Sequence, residues 1–384
     1  MIPRTIFSEE HEIFRDSVRR FIEQEILPKN EQWEDEGQVD REIWLKAGEA
    51  GLLCCDVPEE YGGLGADFLF HAVVIEELAR AAITAPGFVV HSDMVTPYLV
   101  SLASEELKRK WLPEMVAGRA IGAVAMSEPG AGSDLAAIRT FARREGDDYV
   151  ISGQKVWISN GQLADLLVLA CKTDKDAGAH GVSLFLVPTD TPGFRRGRKL
   201  KKIGLKGQDT SELFFDEVRV PASNMLGDEG QGFKALMSKL ARERMTQAIR
   251  SSINAETAVE WAVEYTKERK AFGKTVSDFQ NTRFKLAELA TRNAACRALV
   301  DRCIELYMEG TLDPVDAAMA KLHATDLHFE AVNECLQFFG GYGYTYEYPI
   351  SRAFIDARVT RITGGTAEIM KQIISERMFG GKAR

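Results

Sequence analysis

The sequence has few cysteines, and their spacing does not suit a metal site or a disulfide framework. Six occur in 384 residues, and none forms a Cys-x-x-Cys pair or a cluster with histidine. Such usage is typical of reduced thiols in a cytosol-like compartment. We therefore predict no structural zinc, no disulfides and no bound metal. The six cysteines stand at positions 54, 55, 171, 296, 303 and 335.

Long apolar runs and a targeting segment are also missing. No stretch approaches the apolar length of a membrane span, about 20 residues, and residues 1–5 (MIPRT) have no signal-peptide or transit-peptide character. The net charge of −9 disfavours a nucleic-acid surface as the main partner. These absences predict a cytoplasmic protein with no membrane span and no nucleic-acid partner.

The usual nucleotide-binding and histidine metal motifs are absent as well. Residues 272–275 (FGKT) resemble the end of a P-loop, but Glu268 stands where its first glycine is required. Residues 230–232 (GQG) lack the third glycine and the preceding strand of a dinucleotide-binding fingerprint. His323 and His328 are five residues apart, off the spacing of four that a helical metal pair needs. P-loop, Rossmann and helical histidine-metal sites are thus excluded.

Patterning divides the chain into three parts, as expected for a length that exceeds one hydrophobic core. Residues 1–120 have mainly helical patterning, residues 121–228 contain short apolar strands with no helices between them, and residues 229–384 return to a helical period. We predict an α+β fold with an N-terminal helical domain, a middle antiparallel β domain (a barrel or sandwich) and a C-terminal four-helix bundle.

Capping and breaking residues predict where several elements begin and end. Ser8 predicts a helix start, and Pro28 predicts that helix's end. Asp313 followed by proline predicts the start of a later helix. The basic run 195–202 (RRGRKLKK) is predicted to be a solvated loop rather than a phosphate site, because the chain as a whole is acidic. The four bundle helices are predicted at 231–268, 277–308, 314–339 and 366–379.

Residues 125–134 (AMSEPGAGSD) form the first candidate binding segment. They follow an apolar, strand-like run and contain two glycines, two serines and two carboxylates. Glycine lets backbone amides approach a ligand closely, and hydroxyls both donate and accept hydrogen bonds. The same composition suits an ordinary tight loop. The residues of this glycine-rich loop alone leave both interpretations open.

Residues 154–161 (QKVWISNG) form the second candidate segment. Trp157 and Ser159 are two apart on a predicted strand, so they are expected on one face. Such a face suits a flat heterocycle, with the indole as a stacking plane and the hydroxyl as a hydrogen-bonding group. A tryptophan that fills the sheet core is the commoner alternative, because its side chain buries a large area.

Glu243 is the third candidate. It continues the apolar stripe of Leu236 and Leu240 on a predicted helix. A carboxylate on a buried face is unfavourable unless it is paired or functional. Arg242 and Arg244 offer a structural ion pair, and a catalytic base in an apolar cleft is the alternative.

Gly364 and Gly365 are the fourth candidate, and we call them the diglycine turn. They directly precede a predicted helix, where free backbone amides can bind negative charge or polarise a carbonyl. A plain turn followed by a threonine cap is the commoner alternative.

Together these segments resemble the acyl-CoA dehydrogenase family over nearly the whole chain. Residues 125–134 and 337–344 (QFFGGYGY) look like its two signatures, and residues 156–160 and 269–274 lie between them in matching order. The closest subgroup is the long-chain type. The resemblance implies FAD-dependent conversion of a fatty or branched acyl-CoA to 2-enoyl-CoA, with electrons passed to an electron-transfer flavoprotein.

The resemblance also implies an FAD site shared between subunits of a homotetramer, a dimer of dimers. The middle domain would contact the flavin through Val124, Ala125, Met126, Ser127, Ser133, Trp157, Ile158 and Ser159. A neighbouring subunit's FAD would be held by Arg269, Phe272, Gln280, Gln337, Phe338, Phe339, Gly340 and Gly341. The chain's own FAD would be capped by Thr366, Ala367 and Glu368.

The catalytic base follows from one departure within the resemblance. Medium- and short-chain members carry it directly before Gly-Thr, where this chain has Gly364, whereas long-chain and isovaleryl types carry it where this chain has Glu243. Glu243 would remove the α-proton, and the Gly364 amide would bind the thioester carbonyl. Matching substrate-contact positions are Ser133, Ala179, His180, Lys234, Ala241, Arg242, Glu243, Arg244, Gly364 and Gly365.

Two alternatives to a dehydrogenase stay open at the level of sequence. A flavin oxidase or monooxygenase of the same fold would reduce oxygen. A DNA-binding relative would rest on the basic run 195–202, which the acidic net charge and the carboxylate at 243 disfavour. Since long-chain and isovaleryl types share the base position, straight and branched substrates both remain candidates.

Overall fold

The N-terminal part is helical, as predicted. The computed structural model describes residues 3–380, so Met1 and Ile2 of the N-terminal segment and residues 381–384 of the last predicted domain lie outside it. Its first helices are α1 (Glu9–Phe21), α2 (Leu27–Glu36), α3 (Arg41–Glu49), α4 (Phe68–Arg80), α5 (Thr96–Leu102) and α6 (Glu105–Val116). Ser8 precedes α1 and shares a capping box with His11.

Pro28 does not end the first helix, so that prediction was wrong. The chain forms a π-helical segment at Ile22–Ile26 and continues as α2, with Pro28 in the first turn. Proline is tolerated there because its missing N–H leaves no hydrogen bond unmade, and the π segment absorbs the change of register. A second π segment, Val90–Val95, precedes α5 in the same way.

The middle part is a seven-stranded, mostly antiparallel sheet. Its order is β1-β4-β2-β3-β7-β6, with β5 beside β4. The pairings of β1 and of β2 with β4 are parallel. The strands are β1 (Gly122–Ala125), β2 (Phe141–Glu145), β3 (Asp148–Ser159), β4 (Leu166–Lys172), β5 (Val182–Pro188), β6 (Phe194–Lys199) and β7 (Thr210–Pro221).

Most of the basic run 195–202 is strand rather than loop, which corrects the prediction. β6 pairs antiparallel with β7. The Arg195 guanidinium lies 4.4 Å from the ring centroid of Phe214, and Arg196 donates to the Ala164 carbonyl at 2.6 Å. Charged side chains hide the alternation that marks a strand, because arginine packs its stem while its head finds polar partners.

Helices return after the sheet, and their predicted limits hold within a few residues. They are α7 (Gly232–Glu268), α8 (Gln280–Met308), α9 (Pro314–Phe339), α10 (Pro349–Thr360) and α11 (Ala367–Met378), with a small hairpin of β8 (Lys270–Ala271) and β9 (Lys274–Thr275). The Asp313 side chain caps α9 by accepting from the Val315 N–H at 2.8 Å. Helix α10 was not predicted from the sequence.

The structure has three apolar cores, and two of them join neighbouring parts of the chain. Alternate residues of β4 face opposite sides: Leu166 and Val168 pack with the N-terminal helices, whereas Leu167 and Leu169 pack inside the curled sheet. The third core fills the bundle and includes Ile75 of α4. The predicted fold class is therefore confirmed, and the domain boundaries at 120 and 228 stay a prediction. Over residues 3–380, the helices are all too short or too polar to cross a bilayer.

Candidate functional site

A buried ion pair holds the glycine-rich loop from beneath. The Glu128 carboxylate accepts hydrogen bonds from the backbone N–H of Thr140 at 2.9 Å and from Lys155 Nζ at 2.8 Å. Lys155, on β3, also donates to the Met126 carbonyl at 2.8 Å. Both side chains of the pair are buried. Burial raises the pKa of Glu128, but Lys155 outweighs that effect and holds the pKa below its ordinary value.

The opposite side of the loop is open. A side chain added at Gly130 or Gly132 would meet no atom within 4 Å, and Ser133 is exposed. Glu128 therefore supports the loop, while its serines remain available to a ligand. Sequence reasoning gave Glu128 and Lys155 no role, although a lysine at an inward position of a strand is a signal for a buried partner.

Trp157 projects out of the sheet. A bulge interrupts the pairing of β3 with β7 between Lys155 and Ile158, and Trp157 stands in it with φ of +60°. Its side chain is 58% exposed, whereas Ile158 is buried. The alternative of a tryptophan in the sheet core is thus excluded. Bulges re-aim side chains, and a bulky residue in the left-handed region is a strained feature often found at functional sites.

Glu243 lies against the diglycine turn. A Cβ atom placed on Gly364 would be 3.5 Å from Glu243 Oε1. Across residues 3–380, the Glu243 carboxylate has no hydrogen bond and no cation within 4 Å. Burial raises its pKa, while the more distant Arg244 and Lys321 act in the opposite direction. The ion-pair explanation of this carboxylate therefore does not hold.

The diglycine turn depends on glycine and on one lysine. Gly364 and Gly365 have φ of +65° and +90°, a backbone region that residues with a Cβ avoid. Lys321 Nζ donates a hydrogen bond to the Gly365 carbonyl. Thr366 then caps α11 by accepting from the Ile369 N–H at 3.3 Å.

Arg242 has partners other than a substrate. Its guanidinium lies 2.9 Å from Asp93 Oδ1 and also contacts Asp56. His71 bridges the same carboxylates, at 2.9 Å from Asp56 and 3.1 Å from Asp93. Arg242 thus fixes α7 to α4 and to the segment before α5. Arg244 is also buried, with Nη1 3.4 Å from the Pro314 carbonyl.

Of the remaining predicted positions, Ala125, Phe339 and Ala367 are buried, and several others lie on the surface at two places. Ala179 and His180 belong to a short helical turn, Gly178–Gly181, and Lys234 is exposed at the start of α7. His180 lines a groove of about 580 Å³ together with Phe141, Thr173, Asp174, Lys175, Asp176, Glu229 and Gly230.

The second place is one end of the bundle. Phe272 is 96% exposed at the tip of the β8–β9 hairpin. Near the end of α9, Gly340 and Gly341 have no atom within 4 Å of an added Cβ. Tyr265, near the end of α7, stacks on Phe339 at the end of α9 with ring centroids 4.3 Å apart, so the hairpin after α7 and the turn after α9 lie at the same end of the bundle.

Comparison with known proteins gives matches along almost the whole chain. Models of the acyl-CoA dehydrogenase N-terminal, middle and C-terminal domains match residues 8–119, 123–218 and 230–379. The long-chain specific acyl-CoA dehydrogenase, mitochondrial, of Sus scrofa is 48% identical over 381 residues, which cover 99% of this chain and 89% of that protein.

Solved structures agree with this result. An acyl-CoA dehydrogenase from Geobacillus kaustophilus has a TM-score of 0.95 at 48% identity, covering 97% of this chain and 98% of that one. A glutaryl-CoA dehydrogenase from Mycobacterium smegmatis in complex with FADH2 has a TM-score of 0.91 at 30% identity, covering 99% and 97%.

Proposed function

Because this chain belongs to the acyl-CoA dehydrogenase family, oxidoreductases acting on acyl-CoA, we propose that it converts a fatty acyl-CoA to 2-enoyl-CoA with FAD as cofactor. The observation that carries this proposal is the Glu243 carboxylate, which lies against the diglycine turn and has no partner among residues 3–380. It provides a proton acceptor and a backbone donor side by side, which α,β-dehydrogenation of a thioester requires.

The residues present fit a flavin. The exposed Trp157 ring offers a plane for a heterocycle, and the glycine-rich loop offers open backbone with the hydroxyls of Ser127 and Ser133. We propose that these groups and Ser159 hold the isoalloxazine, and that Thr366 caps it from the start of α11. When bound, FAD would supply the group that takes the substrate's β-hydrogen as a hydride.

We assign the proton-transfer step to Glu243. A thioester α-proton is weakly acidic, so its removal needs a base of suitable pKa and a donor to the developing enolate oxygen. Burial raises the pKa of Glu243 toward that of the substrate. Gly364 contributes its N–H to the carbonyl, and the absence of a side chain at this position leaves room for the carboxylate.

We further propose a long acyl chain, straight or branched, an electron-transfer flavoprotein as acceptor and a homotetramer that shares its FAD sites. The 48% identity to a long-chain specific relative supports the substrate class, and the exposed Phe272 supports coverage by another subunit. The six cysteines are free and buried, which supports a reducing compartment such as the cytoplasm.

The experiment that tests the base is Glu243→Gln. We expect this variant to keep its flavin spectrum but to lose dehydrogenation by at least about a hundredfold, because the amide cannot accept the proton. Steady-state assays on a panel of straight and branched acyl-CoAs provide the measurement and also identify the substrate. Glu264→Gln, an exposed carboxylate on the same helix, is the matched control. Turnover near the unmodified level in Glu243→Gln would exclude this mechanism.

The oxidase alternative is tested on the same preparation. Enzyme reduced by substrate without air is mixed with oxygenated buffer or with electron-transfer flavoprotein. A dehydrogenase is reoxidised rapidly only by the flavoprotein, whereas rapid reoxidation by oxygen would favour an oxidase or monooxygenase.

A further inference from the structure

Lys321 is a buried cation next to the candidate site, and the reaction described above gives it no role. It lies on α9 with no exposed surface. An ammonium group carries three donors, and within residues 3–380 it has one hydrogen-bond acceptor, the Gly365 carbonyl. A charge buried with so few partners is unfavourable unless it performs a task.

The position of Lys321 links it to both proposed reacting groups. It holds the carbonyl of Gly365, which follows the proposed oxyanion donor Gly364. It does not pair directly with Glu243, since no cation lies within 4 Å of that carboxylate among residues 3–380. Yet Glu243 is the strongest opposing influence on the pKa of Lys321, which burial lowers to about 8. The lysine therefore contacts the turn and acts on the carboxylate through space.

Among residues 3–380, few other charged groups face Lys321 and Glu243. Arg244 neighbours Glu243 on α7, Asp326 lies one and a half turns along α9, and Glu368 lies at the start of α11. The buried phenol of Tyr98 on α5 also lies near Glu243. Within the part of the chain that the structure describes, Arg244 is the one other cation that acts on the pKa of Glu243. Arg244 itself donates a long hydrogen bond, 3.4 Å, to the Pro314 carbonyl at the start of α9.

We propose that Lys321 is a positioning residue for the proposed dehydrogenation, on which this inference rests. Its hydrogen bond fixes the diglycine turn so that the Gly364 N–H is directed at the thioester carbonyl. Its positive charge favours the ionised form of Glu243, which is the form that accepts the α-proton. Lys321 thus both orients the oxyanion donor and favours the ionised form of the base.

Three variants separate these two effects. Lys321→Arg keeps the charge, Lys321→Gln keeps a donor without the charge, and Lys321→Met removes both. Lys285→Met, an exposed lysine on α8, is the control. Each purified holoenzyme is assayed for kcat and KM between about pH 6 and pH 9, with flavin content and thermal unfolding measured in parallel.

We expect the acidic limb of the kcat profile to move upward by about one pH unit in Lys321→Gln and Lys321→Met, because an opposite charge no longer favours ionised Glu243. We expect kcat to fall at least about tenfold in Lys321→Met, with a smaller change in KM, because the oxyanion donor loses its support. Lys321→Arg and the control should keep the limb in place.

If Lys321 had only a structural role, its substitution would change the flavin content or the unfolding temperature and would not move the acidic limb of the kcat profile. If Lys321→Met does not fold, Lys321→Gln decides alone. An unmoved limb in Lys321→Gln, with Glu243→Gln inactive, overturns this inference and leaves the proposed function intact. Full activity in Glu243→Gln overturns the proposed function and this inference with it.

Discussion

At the scale of residues, the buried Glu128 and the half-buried Glu243 show how surroundings decide a carboxylate's role. Glu128 receives an ammonium and two backbone N–H groups, which hold its pKa below the ordinary value. Glu243 receives no hydrogen bond among the described residues, and burial raises its pKa. Glu128 therefore has a structural role, whereas Glu243 can accept a proton.

The conformation of Gly364 limits the turnover that a catalytic base moved to position 364 can support. In the background of Glu243→Gly, we expect Gly364→Glu to recover part of the lost turnover, because position 364 faces the space of the Glu243 carboxylate. Recovery should be incomplete, since a side chain at φ of +65° costs about 1–2 kcal/mol. Dehydrogenation rates of the single and double variants provide the measurement. Gly364→Ala in the same background is the control, and a double variant no faster than it would contradict the prediction.

The sequence was sufficient to identify Glu243 and Gly364 but not the buried lysines that support the candidate site. A carboxylate on an apolar stripe is conspicuous, and so is a pair of glycines before a helix. Lys155 and Lys321 are not, because a lysine is ordinarily solvated. Arg242 was assigned as a substrate contact because its position matches one in the family that the chain resembles. Its actual partner Asp93 is far away in the chain, and only the fold brings the two together.

At the scale of elements, strand β3 serves the candidate site with both of its faces. Lys155 points inward and fixes the glycine-rich loop, and two residues later the bulge turns Trp157 outward. The loop and the ring are thus placed by a single strand, so their spacing is set by the sheet rather than by the loop's own flexibility.

We expect Lys155→Met to destabilise the protein by about 3 kcal/mol, because it leaves the Glu128 carboxylate buried without its cation. The glycine-rich loop should loosen, and flavin should be lost more readily on dilution. Urea unfolding and flavin content measure the two effects. The double variant Lys155→Met with Glu128→Gln should regain part of the stability. Equal instability of the single and double variants would show that the pair is not coupled.

Elements with clear capping or breaking residues at their ends were predictable, and short elements without them were not. Asp313 begins α9 and the diglycine turn precedes α11, so the bundle helices were found. Strands β2 and β6 were not predicted because adjacent arginines, Arg143 with Arg144 and Arg195 with Arg196, interrupt the apolar–polar alternation. Helix α10 was not predicted because Tyr348, the residue before it, has no side-chain capping hydrogen bond. The π segments have no sequence signal, which is why Pro28 was taken for a helix end.

At the scale of the whole molecule, one buried network ties the N-terminal helices to the bundle. It consists of Arg242 on α7, His71 on α4, and Asp56 and Asp93 from the connecting segments. Burial lowers the pKa of His71, but Asp93 and Asp56 outweigh it and raise the value to about 9. The imidazole is therefore charged at neutral pH and joins two carboxylates.

This network predicts a pH-dependent stability. Because the folded pKa of His71 lies above its ordinary value of 6.5, its stabilisation, about 3 kcal/mol, is complete below about pH 6.5 and is lost as pH rises through about 9. Urea unfolding of the unmodified protein and of His71→Gln measures it, since other titrating groups cancel in the difference. That difference should be largest near pH 6 and shrink towards pH 9. A difference independent of pH would contradict the assignment.

The outward position of Trp157 has an optical consequence. Of the five tryptophans, Trp33 and Trp44 are fully buried, Trp111 and Trp261 are half-buried, and Trp157 alone is mostly exposed. Indole emission shifts to longer wavelength in water, so the red edge of the fluorescence comes mainly from this one ring. The protein therefore carries its own reporter at the place where a planar cofactor would stack. Quenching of that edge on reconstitution would follow cofactor binding without an added label.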